Sequence, residues 1–276
     1  MSNSLIPGSL ALLIFIALGI PVAAASAAGP PAMIWEKTFN ITGSDTAKDL
    51  CQTPDGGFVF VGSTITSSTP HVTDTKALLL TRTDRDGNEL WRRIYQGPGY
   101  SQGYAVSATS DGGFVIAGGG NRASSQDPML LLIRTDAEGN LLWERTYGTA
   151  GSYFGESVIQ MSDSGYAVCG WMSGYPDLDF QMYVLRTDPS GDVIWEKTFG
   201  GAGIDQGSAL VESPDGGLVI AGWTHSPGAG NGDLYCIKTD ASGNMQWEKT
   251  YGGSFYDVAE DIAAVPGGGY ILAGMT

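Results

Sequence analysis

Positive charge is scarce in this chain. Fourteen Lys and Arg stand against 29 Asp and Glu, a net charge of −15. A surface so acidic repels a phosphate backbone, and no nucleic-acid partner is expected. Only 16% of residues carry charge of either sign, while 41 are Gly and 13 are Pro. That balance argues against helical bundles and disorder and suits short strands joined by tight turns. Histidine is nearly absent, with His71 and His225 in variable stretches far apart. Neither has a nucleophile or acid at a telling spacing, so no catalytic residue is nominated. The three cysteines, Cys51, Cys169 and Cys236, form no C-x-x-C or Cys/His cluster of the kind that binds zinc.

No charged side chain occurs before Glu36. Leu10 to Ile20 is almost purely apolar, and Ala25-Ser26-Ala27 offers a small-x-small cleavage site. Residues 1–27 therefore read as a signal peptide, although the segment before Leu10 lacks Lys and Arg. The expected product is a secreted, extracellular or cell-surface domain over 28–276 with no stable membrane span. An uncleaved anchor is the alternative, since the stretch from Leu10 to Ala28 is uncharged and nearly long enough to span.

What the chain does have is a repeat. Trp35, Trp91, Trp143, Trp195 and Trp247 recur at spacings of 56, 52, 52 and 52 residues. Repeats fall near 33–84, 85–136, 137–188, 189–240 and, in part, 241–276. Each unit offers four segments of β character. An alternating strand with small residues (Ala47, Gly103, Gly155, Gly207, Ala259) leads into a turn such as PDGG. An apolar run ending in Gly follows: FVFVG, FVIAG, YAVCG, LVIAG or YILAG. A variable loop then precedes a third strand of the LLLIRTD type, and a D-x-x-G-[ND] turn joins it to the Trp strand. Four antiparallel strands repeated radially make a β-propeller, which protects its sheet edges by that arrangement. The predicted fold is all-β: about five four-stranded blades, the last incomplete or closed by the N-terminal strand. In this register the cysteines occupy mostly apolar strand slots of three different units, so they read as buried small hydrophobes rather than disulfides. Arg82, Arg134, Arg186 and Lys238 form a constant series expected to pair with blade carboxylates.

The unit D-x-x-G-[ND]-x-x-W resembles the tryptophan-docking repeat of quinoprotein-like (PQQ-repeat) propellers. With its DGG turn and RTD strand, the whole unit is similar to secreted β-propeller repeat proteins of bacteria and archaea. The resemblance covers Trp35 to Thr276. It implies a propeller and little about chemistry. Quinoprotein dehydrogenases carry vicinal cysteines, which this chain lacks, so no quinone cofactor is expected.

The variable loops after the second and fourth strands fall on one face of the ring, and variable loops on a rigid scaffold are where recognition concentrates. That face should collect Trp171, Trp223, Tyr175, Tyr153, Phe154 and Tyr256, with Asp205 at the channel mouth. Aromatics beside carboxylates suit a glycan or a peptide. The leading functional reading is thus a non-catalytic scaffold that binds a ligand or partner. The alternatives are a carboxylate-based hydrolase or lyase in the funnel, a structural envelope module, or one piece of a larger propeller. Asp45, Asp49, Asp257 and Asp261 meet where the ring would close. Each pair is an even number of residues apart, and a hard cation such as Ca²⁺ would neutralise them.

Overall fold

The computed structural model describes residues 34–39, 45–67, 75–97, 99–121, 127–174, 180–226 and 231–276. The proposed signal peptide, His71 and Tyr175 lie outside them. No helix occurs among the described residues, and so none is long and apolar enough to cross a membrane.

Eighteen strands form five antiparallel sheets, each laid down in chain order from the axis outward. Blade one contains β1 (Thr46–Gln52), β2 (Phe58–Ser67), β3 (Thr75–Thr83) and β4 (Glu89–Tyr95). Blade two contains β5 (Ser101–Ala108), β6 (Phe114–Asn121), β7 (Pro128–Thr135) and β8 (Leu141–Tyr147). Blade three is β9 (Ser152–Gln160), β10 (Tyr166–Ser173), β11 (Phe180–Thr187) and β12 (Val193–Phe199). Blade four is β13 (Asp205–Glu212), β14 (Leu218–Thr224), β15 (Asp233–Thr239) and β16 (Met245–Tyr251). Among the described residues blade five has two strands, β17 (Val258–Ala264) and β18 (Tyr270–Met275). The chain folds as a β-propeller, with four sheets of four strands and a fifth of two among the described residues. Each sheet starts at an inner strand, so the blades are framed about a dozen residues later than repeats counted from the Trp strand.

The core lies between the blades. Val61, Leu78 and Leu80 of blade one pack with Val106, Phe114 and Ile116 of blade two. Equivalent clusters join blades two and three, three and four, and four and five. The second and third strands are apolar on both faces because each face meets a neighbouring blade. Burying one such Leu or Ile contributes roughly 1.5–3 kcal/mol. Cys169 and Cys236 sit buried in these layers, Cys51 is half-buried, and all three are free thiols.

The tight-turn end is held by charge. Arg134 reaches from β7 to Asp111 of its own blade's DGG turn and to the Tyr166 hydroxyl of the next blade at 2.9 Å. Arg186 pairs with Asp163 in the same way, Arg82 with Asp55 at 2.8 Å and Lys238 with Asp215 at 2.8 Å. In each pair the carboxylate is the more exposed partner. The D-x-x-G-[ND] turns close through their Asp: Asp136 accepts backbone N–H bonds from Glu138 and Asn140 at 3.0 and 2.7 Å. Both features match the reading of these residues as fold constants.

One turn breaks the pattern. Ser164 stands where the other DGG turns have Gly56, Gly112 and Gly216, and it takes the same left-handed conformation, φ 70°. A Cβ there costs about 1 kcal/mol relative to Gly. Ser164→Gly should therefore raise the thermal midpoint by about 2–4 °C, and a lowered midpoint in calorimetry would contradict this.

A candidate ligand site in the propeller channel

The inner strands are not regular. In all five, one residue lacks a partner on the second strand. Ala47 pairs with Gly62 and Asp49 with Val61, which leaves Lys48 bulged. The same irregularity frees Tyr104, Glu156, Ser208 and Glu260. A bulge bends the strand and re-aims one side chain, and here it aims the side chain at the axis. All five bulged residues line one cavity of about 640 Å³, together with Asp49, Asp261, Gln206 and Trp223.

The bulge explains why every apolar run ends in glycine. Added Cβ atoms on Gly62, Gly118, Gly170, Gly222 and Gly274 would lie 1.8–2.0 Å from carbonyl oxygens of the facing inner strand. No side chain fits there. The bulge also leaves residues three apart on one face. Gly103 faces Val61 and Leu78 of blade one, Val106 packs into the same layer, and Ala105 turns toward blade three.

The cavity mixes charges. The Lys48 ammonium lies 5.6 Å from the centre of the Tyr104 ring. Burial pushes the Glu156 carboxyl above the usual carboxylate range, against the opposing pull of the Trp171 indole N–H at 3.2 Å and of Lys48. Asp49 is likewise raised by burial, although it accepts backbone N–H bonds from Val106 and Leu50 at 2.8 and 2.7 Å. Asp261 adds to its rise.

Two aromatic groups border this centre. Phe154 stacks on Trp171 at 4.4 Å, and Tyr104 and Phe180 meet that pair edge-on. Trp223 contacts His225 at 5.1 Å, and His225 contacts Tyr256 at 5.7 Å. Trp171 thus meets Phe154 directly, and Trp223 is linked to Tyr256 through His225. Trp171 and Trp223 are both half-buried members of clusters, and of the two Trp223 also lines the channel cavity. Tyr153 lies in the core edge-on to Tyr183 at 5.2 Å.

Two expectations need correction. Asp205 does not sit open at the channel mouth. It is fully buried, and its carboxylate accepts from the Gly201 amide at 2.9 Å, the Ser226 hydroxyl at 2.8 Å and the Thr224 hydroxyl. Asp257 holds the Gly253 amide at 2.9 Å in the same way, so both fasten the loop that enters the inner strand. Nor do Asp45 and Asp49, or Asp257 and Asp261, share one side of their strands. Lys48 and Glu260 bulge between them and shift the alternation by one. Among the described residues no group of three or more His, Cys, Asp or Glu is arranged to hold a metal ion.

The residues that counting by twos missed are the bulged five. The glycine ending each second strand was their visible trace.

No protein-family model matches the chain, nor does any curated protein. Solved structures similar to it include sucrose-6-phosphate hydrolase from Lactobacillus gasseri, 10% identical, with a TM-score of 0.48 over 73% of this chain. The chain spans 47% of that protein's length. The Neurospora crassa Pan2 WD40 domain is 14% identical, with a TM-score of 0.46 over 80% of this chain and 69% of its own. The Bombyx mori GH32 beta-fructofuranosidase BmSUC1 is 12% identical, with a TM-score of 0.41 over 80% of this chain and 52% of its own. At these values the likeness is one of strand arrangement, and the fold assignment rests on the ladders described above.

Glu156 gives a test of the cavity's electrostatics. With its folded pKa raised, its favourable contribution is complete below the ordinary glutamate pKa of about 4.3 and is lost as pH rises through the folded value. Glu156→Gln keeps an acceptor for Trp171 and removes that loss. The variant should melt above the parent at pH 7, with the gap closing toward pH 4. A gap that widens on acidification would contradict the burial assigned to Glu156.

Proposed function

We propose that this β-propeller is a binding module exported to the cell surface, and that it takes a glycan at the loop-side end of its channel. Chemical variety at one repeated position carries the reading. The inner-strand position just before the bulge stays uniform, with only Ala or Gly at 47, 103, 155, 207 and 259. The bulge itself presents Lys, Tyr, Glu, Ser and Glu to a shared cavity. A purely structural module has no need of such variety at its axis. Carboxylates and a hydroxyl accept and donate to sugar hydroxyls, and Trp223 offers an apolar ring on which a sugar face can stack. The leader-like residues 1–27 support export.

The carboxylate-hydrolase reading is favoured by one observation, the raised Glu156 carboxyl beside further acids. Against it, Asp49 is tied to two backbone amides and is poorly placed to serve as a mobile partner.

Glycan-array screening followed by titration calorimetry tests the proposal. Trp223→Ala and Glu156→Gln should each weaken binding at least tenfold, about 1.4 kcal/mol, while the far-UV spectrum stays unchanged. No glycan bound, or a glycan bound equally by both variants, would contradict it. Cleavage of the bound glycan would favour the hydrolase, and selective capture of extended peptides would favour a peptide ligand.

A further inference from the structure

The channel cavity carries an unbalanced charge. Among the described residues that line it, Lys48 is the one cation, set against the carboxylates of Asp49, Glu156, Glu260 and Asp261. The acids gather on two blades. The position after the bulge is Asp49 in blade one and Asp261 in blade five, whereas it is Ala105, Ser157 or Ala209 in the other three. No ion pair among the described residues involves Asp49, Glu260 or Asp261. Burial raises the Asp49 carboxyl, and repulsion from Asp261 adds to the rise.

These oxygens do not converge as metal ligands do. Asp49 is held by the Val106 and Leu50 amides, and Asp261 accepts from the Ile262 amide at 2.8 Å. A calcium ion needs about six to eight oxygens at about 2.3–2.6 Å. An organic cation needs no such shell, because its charge is met at longer range by carboxylates and by the negative faces of aromatic rings.

One ammonium already sits in the cavity in that manner. Lys48 Nζ lies 5.6 Å from the centre of the Tyr104 ring, inside the roughly 6 Å reach of a cation–π contact. Burial pushes the Glu156 carboxyl up, and the same ammonium draws it back down. An aromatic face and a carboxylate thus form an ammonium seat, which Lys48 fills. Blades four and five, packed directly on each other, bring the same ingredients to the cavity. The Trp223 ring comes from one and the Glu260 and Asp261 carboxylates from the other, with no Lys or Arg of either blade in the lining.

We propose that the glycan taken by this channel bears amino groups, one of which sits as an ammonium between Trp223 and the carboxylates of Glu260 and Asp261. The proposal rests on the reading of the channel as a glycan site and narrows it by charge. A sugar with hydroxyls alone leaves the acids uncompensated. A uronic or sulfated sugar adds like charge, which an interface rejects. A cationic sugar is drawn in by the field of the cavity.

Titration calorimetry on the intact chain at about pH 6, where sugar amines are protonated, tests this with three tetrasaccharides: glucosamine, N-acetylglucosamine and galacturonate. The glucosamine form should bind at least tenfold more tightly than its acetylated counterpart, and galacturonate should give no heat. The preference should shrink between about 0.1 M and about 1 M salt, as the screening length falls from about 10 to about 3 Å. Glu260→Gln combined with Asp261→Asn, which keeps an acceptor for the Ile262 amide, should abolish the preference and leave the acetylated sugar within about twofold. Lys48→Met should strengthen glucosamine binding by freeing the Tyr104 seat. Preference for the acetylated or acidic sugar, or a preference that survives the double substitution or the added salt, would overturn the amine assignment while leaving the channel a glycan site. Weaker glucosamine binding by Lys48→Met would overturn it as well. Silence with all three sugars would count against both readings, and glucosamine binding untouched by Trp223→Ala would place the sugar outside the channel.

Discussion

The geometry of this propeller turns on a backbone contact that admits no side chain. In each inner strand the carbonyl oxygen two residues before the extra one lies within about 2 Å of where a Cβ on the facing strand would be, so that facing residue is Gly in all five blades. Once the bulge is locked by that contact, three consequences follow. In blades two and four the extra side chain goes to the axis, the next residue (Ala105, Ala209) is buried toward the following blade, and the one after (Val106, Leu210) packs on the preceding blade. Channel lining and blade packing are therefore set together, by the same irregularity. The bulge position is free to vary because its side chain meets the channel, whereas the Ala or Gly before it is confined between sheets.

A second constraint works at the rim. The tryptophan strand of one blade holds the hairpin turn of the next, and the turn needs glycine both for its left-handed backbone and to let the indole lie close. The acidic residue of each DGG turn is tied to Arg or Lys of the third strand, which is far more buried than its partner. A buried cation needs such a partner, since loss of one member would strand the other charge. These contacts recur through the four four-stranded blades.

Much of this was legible in the residues. The five spaced tryptophans, the four segments per unit and the turn aspartates gave the blades and their order. The Arg82, Arg134, Arg186 and Lys238 series was read as structural, and it is. The channel lining was not legible by alternation, because counting by twos puts Ala47 and Asp49 on one side and passes over Lys48. A trace of the bulge was nonetheless present. Small residues at 47, 103, 155, 207 and 259 are followed three positions later by Leu50, Val106, Val158, Leu210 and Ile262. A regular strand cannot place residues three apart on one face, and a bulged one does. The same oversight led the four seam aspartates to be grouped as cation ligands. Asp205 was read as a surface carboxylate because sequence does not show that Gly201, Thr224 and Ser226 fold back around it.

The central claim is that the bulge turns one inner-strand residue to the channel, and in blade four this leaves Ser208 facing the cavity with Ala209 and Leu210 buried. Cysteine accessibility tests it directly. In a background with Cys51, Cys169 and Cys236 replaced by Ala, single cysteines at Ser208, Ala209 and Leu210 would be probed with a small maleimide under native conditions. The account predicts prompt labelling of Ser208→Cys, with Ala209→Cys and Leu210→Cys protected until the fold opens. Protection of all three, or equal labelling at 208 and 210 as regular alternation would give, would contradict it.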